Sequence, residues 1–123
     1  MTTFSRADRV GVLIQEVLSD ILHRHVSDPR LEMATITAVK MSRDLKHARI
    51  YFIAPGGKTK SEIVAKGFIS ALGYIKRSLA SRLELRYMPE LKFFYDDSFD
   101  YGSHIDQLLE SVKTDDGTNH STD

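Results

Sequence analysis

Cations crowd the middle of this 123-residue chain. Between residues 40 and 92, twelve Lys or Arg face four acids, a net of +8. Residues 1–39 carry −1 and residues 93–123 carry −7, so the formal net charge of zero conceals a basic middle and an acidic end. A basic block of this kind either serves a polyanion or is a solvated surface with its charges shuffled along the chain. On a continuous helix Lys66, Gly73, Lys76 and Arg77 fall within about 100° of one another, with Ser70 close by. A glycine there lets a phosphate backbone approach, and amides freed at a helix break can bind phosphate. Arg43 and Lys46 add charge in a turn, and Arg82 and Arg86 extend the basic run. These residues are the candidate phosphate contacts, with Arg6, Arg9 and Arg30 as weaker ones. An ordinary charged helix face is the competing reading.

Other chemistries find less support. Asp96, Asp97, Asp100 and His104 cluster, and carboxylates with a histidine can hold Mg²⁺ or Mn²⁺ for phosphodiester hydrolysis. Their spacing matches no specific metal motif, and a solvated acidic turn that favours the following helix start is the simpler reading. His23 and His25 are two apart and point away from each other on a helix. Gly57-Lys58-Thr59 ends like a phosphate-binding loop, but Phe52 stands where that loop needs its first glycine. No Ser-His-Asp arrangement is visible from spacing, and no cofactor site is expected. Cysteine is absent, which excludes disulfides, thiolate zinc sites and cysteine nucleophiles.

Apolar residues make up 41% and charged residues 28%, as in soluble single-domain proteins. No apolar run approaches the roughly 18–20 residues that span a bilayer, and the first eight residues do not read as a signal peptide. The expected home is the cytoplasm. Val10, Leu13, Ile14, Val17, Leu18, Ile21 and Leu22 recur at helical spacing. Ser5 and Asp8 form a capping-box start, and Asp28-Pro29 is a stop, so a helix is expected over 6–26. Residues 35–41 are rich in β-branched side chains and read as a strand. After the polar turn 42–46, Ala48, Ile50 and Phe52 share one face of a second strand, antiparallel to the first.

Thr59 and Glu62 suggest a second capping box. Val64, Phe68, Ala71, Leu72, Ile75, Leu79 and Leu83 then keep to one helical face. Gly73 lies mid-helix, where it predicts a kink, a break or close backbone packing. Leu91, Phe93 and Tyr95 share one face of a third strand. Tyr51 and Phe94 point to the opposite side of the sheet, where they could stack on bases or cover that side. Ser103 and Asp106 open a short helix. The expectation is one domain over 1–113 and a disordered polar tail over 114–123. Its class is α+β, with a three-stranded sheet covered on one face by helices.

Several blocks in order resemble ribosome-binding factor A, a bacterial small-subunit assembly factor. They are Asp28-Pro29-Arg30-Leu31, residues 39–45 (Val-Lys-Met-Ser-Arg-Asp-Leu) with Ala48-Arg49-Ile50-Tyr51, Ala71-Leu72-Gly73 with Tyr74-Ile75-Lys76-Arg77, and Pro89-Glu90-Leu91 with Phe93-Phe94-Tyr95-Asp96. The resemblance covers roughly residues 4–112. It implies a type II KH-like fold of order α-β-β-α-(kink)-α-β plus a short C-terminal helix. The family's Ala-x-Gly kink, matched by Ala71 and Gly73, stands in place of the GxxG backbone clamp of typical KH domains. The resemblance further implies a non-enzymatic factor that binds the immature 30S subunit and 16S rRNA or its precursor, supporting late assembly, 5′-end maturation and growth in the cold. Nothing in the sequence suggests an obligate dimer, so a monomer is expected. A protein–protein interaction domain without RNA binding is the alternative.

Overall fold

The computed structural model describes residues 4–98. Helix α1 spans Arg6–Arg24. Its capping box forms: the Ser5 hydroxyl accepts from the Asp8 amide at 3.1 Å, and the Asp8 carboxylate accepts from the Ser5 amide at 3.0 Å. The helix ends two residues before the expected Val26. His25 closes it, its amide donating to the Ile21 carbonyl at 2.9 Å.

Gly11, Ile14, Leu18, Ile21 and Leu22 are the buried face of α1. A Cβ on Gly11 would lie 2.8 Å from the Val39 carbonyl oxygen, so α1 sits close against the first strand at this point. That contact line leaves out Leu13, which was expected in the core and is 47% exposed. Leu13 projects about 130° from the centre of the line.

Strands β1 (Thr35–Met41) and β2 (His47–Ile53) form the expected antiparallel hairpin. A bulge lies between Ile36 and Ala38. It lets Ile36 and Val39, three residues apart, oppose the buried Phe52 and Ile50 on the same core face. The odd residue, Thr37, donates its hydroxyl to the Asp96 carboxylate at 2.6 Å and so ties β1 to the end of the third strand.

A 3₁₀ turn over Gly57–Lys60 leads into α2, Ser61–Arg82. The second capping box does not form. The Thr59 hydroxyl donates to the Gly56 carbonyl at 2.8 Å, and Lys60, without a side-chain cap, occupies the N-cap. Of the kink, break or close packing expected at Gly73, the break does not occur: α2 is one continuous 22-residue helix. The close approach occurs six residues earlier, at Gly67, where a Cβ would meet the side-chain atoms Arg30 Cβ and Leu31 Cδ2, each at 3.1 Å.

Strand β3 (Glu90–Tyr95) runs parallel to β2, giving the sheet order β1-β2-β3. Parallel neighbours need a crossover, and α2 is that crossover. Leu91, Phe93 and Tyr95 face inward as expected. Phe68 stacks on Phe93 with centroids 4.2 Å apart and meets Phe52 at 5.1 Å. With Ile14, Leu18, Ile50, Ile75 and Leu79, these rings join both helices to one face of the sheet. The architecture is thus α+β. The expected helix from Ser103 and the polar tail over 114–123 lie outside the described residues.

Candidate nucleic-acid interface

Because α2 lays Val64, Phe68, Ile75 and Leu79 on the sheet, its opposite side must face solvent. Lys66, Ser70, Gly73 and Arg77, spaced by four, three and four residues, form an exposed stripe there. Gly73 leaves a gap: a Cβ would meet only the Arg77 guanidinium, at 3.5 Å. Two cations and a hydroxyl thus flank bare backbone. Lys76 is half-buried beside the stripe. Ala71 turns the other way and, with Ser70 and Tyr74, lines a cleft of about 370 Å³ against His25–Asp28.

The other cations divide. Arg43 and Lys46 sit in the hairpin turn, where the Asp44 carboxylate accepts from the Ser42 hydroxyl at 2.6 Å and the Lys46 amide at 3.0 Å. The Ser42 hydroxyl and the Lys46 amide hold the Asp44 carboxyl below its usual pKa. Leu45 closes the turn in the left-handed region at φ 63°. Lys46 lines a cavity of about 240 Å³ with Arg6, Leu45, Glu84, Arg86 and Tyr87. Arg86 lies 5.8 Å from the centre of the Tyr87 ring. This second basic group is at the hairpin end of the molecule, apart from the α2 stripe.

Arg82 is already engaged. It binds the Asp20 carboxylate of α1 at 2.5 Å, and Arg24 binds the same group at 2.8 Å. The Arg82 hydrogen bond lowers the Asp20 pKa. Arg30 is likewise held by Asp28 at 2.6 Å, and that bond lowers the Asp28 pKa. Arg6 and Arg9 are exposed on α1.

Three further exposed cations escaped the sequence reading. Lys40 pairs in register with Arg49, and Arg49 with Lys92, so they form one row across the solvent-facing side of the sheet. The signal was present as alternation along each strand, but the bulge in β1 hides the register. Of the acidic cluster, Asp96 accepts from Thr37 and Ser98, and Asp97 lies 3.4 Å from Lys58. Asp100 and His104 are outside the described residues.

A mixed three-stranded sheet backed by α1 and α2, in the order α-β-β-α-β, with cations on a solvent-facing helix, defines a KH-like domain. The solved structures agree. Ribosome-binding factor A from Thermus thermophilus superposes with a TM-score of 0.65 at 23% identity, covering 74% of this chain and 97% of that one. A Thermotoga maritima protein described as a putative ribosome binding factor A gives a TM-score of 0.67 at 22% identity, over 76% and 90% of the two chains. A Thermus thermophilus ribosome binding factor A homology model fitted into a cryo-EM map of its 30S complex gives 0.57 at 24% identity, over 68% and 88%.

The ribosome-binding factor A family matches residues 6–109. Ribosome-binding factor A of Desulfosudis oleivorans is 51% identical over 114 residues, covering 93% of this chain and 88% of the relative. That of Desulfatibacillum aliphaticivorans is 50% identical over 112 residues, 91% of each. The chain belongs to the ribosome-binding factor A family.

Proposed function

We propose that this protein is a monomeric, cytoplasmic assembly factor that binds the immature 30S subunit through 16S rRNA or its precursor, supporting late assembly, 5′-end maturation and growth in the cold. The observation that carries this reading is the exposed Lys66–Ser70–Gly73–Arg77 stripe on a chain of this family. Relatives carry ribosome binding in their name, and one structural neighbour was fitted into a map of a 30S complex. The action is positional and involves no catalytic group. The stripe holds phosphates, the gap at Gly73 admits the sugar-phosphate backbone, and the bound domain keeps part of the subunit from its mature arrangement. The acidic end limits non-specific binding by repulsion.

Co-sedimentation with separated 30S subunits, 50S subunits and whole ribosomes tests this. Binding confined to free 30S subunits, weakened by salt and by Lys66→Glu with Arg77→Glu, is the expected result. No binding to any particle sinks the reading. A protein-interaction domain is favoured by one observation: Ile69 is 69% exposed beside a groove lined by Leu72 and Phe94. That alternative predicts binding that hardly responds to salt.

A further inference from the structure

We infer that the solvent-facing side of the sheet is a second RNA-contact surface, on which Tyr51 and Phe94 stack on unpaired bases while Lys40, Arg49 and Lys92 hold the phosphates of the same strand. The inference rests on the RNA-binding reading above but places the contact on a surface away from the α2 stripe.

The two rows are adjacent. Tyr51 and Phe94 are register partners on β2 and β3, with ring centroids 5.7 Å apart and planes inclined by 32°. Phe94 is 41% exposed and Tyr51 is half-buried. Two residues along the strands, roughly 6.6 Å away, lies the row Lys40–Arg49–Lys92, spanning roughly 10 Å across the sheet. Like charges directly opposite on neighbouring strands are destabilising. Among the described residues none of the three forms a salt bridge. The Asp8 carboxylate, whose pKa Lys40 helps to lower, is held in the α1 cap by Ser5. Two residues further along, His47 Nδ1 lies 3.2 Å from the carboxylate of its register partner Glu90.

A cation row with no salt bridge among the described residues, beside an exposed Phe94 ring and a half-buried Tyr51 ring, complements a single strand, which offers phosphates and base faces together. A duplex offers the charge but withholds the faces. The salt-bridge-free cations and the adjacent ring pair, with Phe94 exposed, therefore point to one ligand: single-stranded RNA.

The 123-residue chain contains no tryptophan, so Phe94→Trp supplies a unique reporter. It is titrated with a single-stranded oligoadenylate of about ten nucleotides, a length within the usual site size. Saturable quenching is expected, and a duplex of the same length should not produce it. Tyr51→Leu in that background should weaken binding roughly five- to a hundredfold. Arg49→Glu should weaken it too and flatten the log–log salt slope by about one. The same Arg49→Glu change places an acid between Lys40 and Lys92, so its thermal midpoint should be equal or higher. A merely structural arginine would not lose affinity while gaining stability.

Oligoadenylate binding without quenching overturns the inference, as does binding that survives Tyr51→Leu and Arg49→Glu but is lost in Lys66→Glu/Arg77→Glu. Either result leaves the assembly-factor reading standing. Small-subunit binding that weakens in Phe94→Ala, with no quenching by oligoadenylate, assigns the face to a protein and also overturns it. Failure of the unaltered chain to bind any ribosomal particle removes the reading on which the inference rests.

Discussion

At the scale of single residues, two helix glycines, Gly11 and Gly73, separate by what surrounds them. Gly11 faces a backbone carbonyl 2.8 Å from the position of a Cβ. Gly11→Ala should therefore destabilise the fold by about 1–3 kcal/mol, outweighing the better helix propensity of alanine. Gly73 faces open space apart from Arg77. Gly73→Ala should stabilise by about 1 kcal/mol, and urea denaturation of the two variants side by side checks both signs. If Gly73→Ala stabilises the fold while weakening subunit binding, the bare backbone at that position is there for the ligand.

The Asp20–Arg82 pair makes a prediction in pH. The Arg82 hydrogen bond holds the Asp20 carboxyl below the ordinary carboxylate pKa in the folded chain, whereas an unfolded chain keeps the ordinary value. The stabilisation is therefore fully present above that value and is lost as pH falls through the depressed folded pKa. Arg82→Gln should lower the thermal midpoint at neutral pH, and the gap from the unaltered protein should close in acid. A gap that persists unchanged in acid would mean that the guanidinium acts through packing instead.

At the scale of elements, α2 both crosses over between β2 and β3 and presents the basic stripe. Its inner face is pinned by Phe68, fully buried between the rings of Phe52 and Phe93. Phe68→Ala should cost about 3–5 kcal/mol, a large part of the roughly 5–15 kcal/mol that holds a domain of this kind. Ile69→Ala, one residue on and mostly exposed, should stay within about 0.5 kcal/mol. Chemical denaturation of both variants measures how firmly the helix is seated, and subunit binding should fall only in the first.

At the scale of the whole molecule, charge is partitioned along the chain, so binding should be governed by counterion release. If about six phosphates are neutralised, the logarithm of the subunit affinity should fall against the logarithm of salt with a slope of roughly −4 to −5. A slope near zero would favour the protein-interaction alternative. Because Arg82 and Arg30 are held by carboxylates, neutralising either should change the slope less than neutralising Arg77.

Much of this molecule is local and was legible as such. The α1 capping box, the polar hairpin turn, the alternation that puts Ala48, Ile50 and Phe52 inward, and the outer stripe of α2 all follow from spacings within a few residues. Distant partners decided the rest. Arg82 reads as a free cation until α1, 62 residues earlier, brings Asp20 to it. Spacing singles out Gly73, yet Gly11, against the Val39 carbonyl, and Gly67, against the Arg30 and Leu31 side chains, make the close approaches, because only packing shows which side of a helix meets a neighbour. Thr59 had the spacing of a cap, but the glycines before it bend the chain so that its hydroxyl meets Gly56 instead. The row Lys40–Arg49–Lys92 exists only once three strands take a register that one bulge sets. Helix and strand periodicity are properties of the neighbouring chain, whereas pairing, register and close approach depend on which remote surface each element meets.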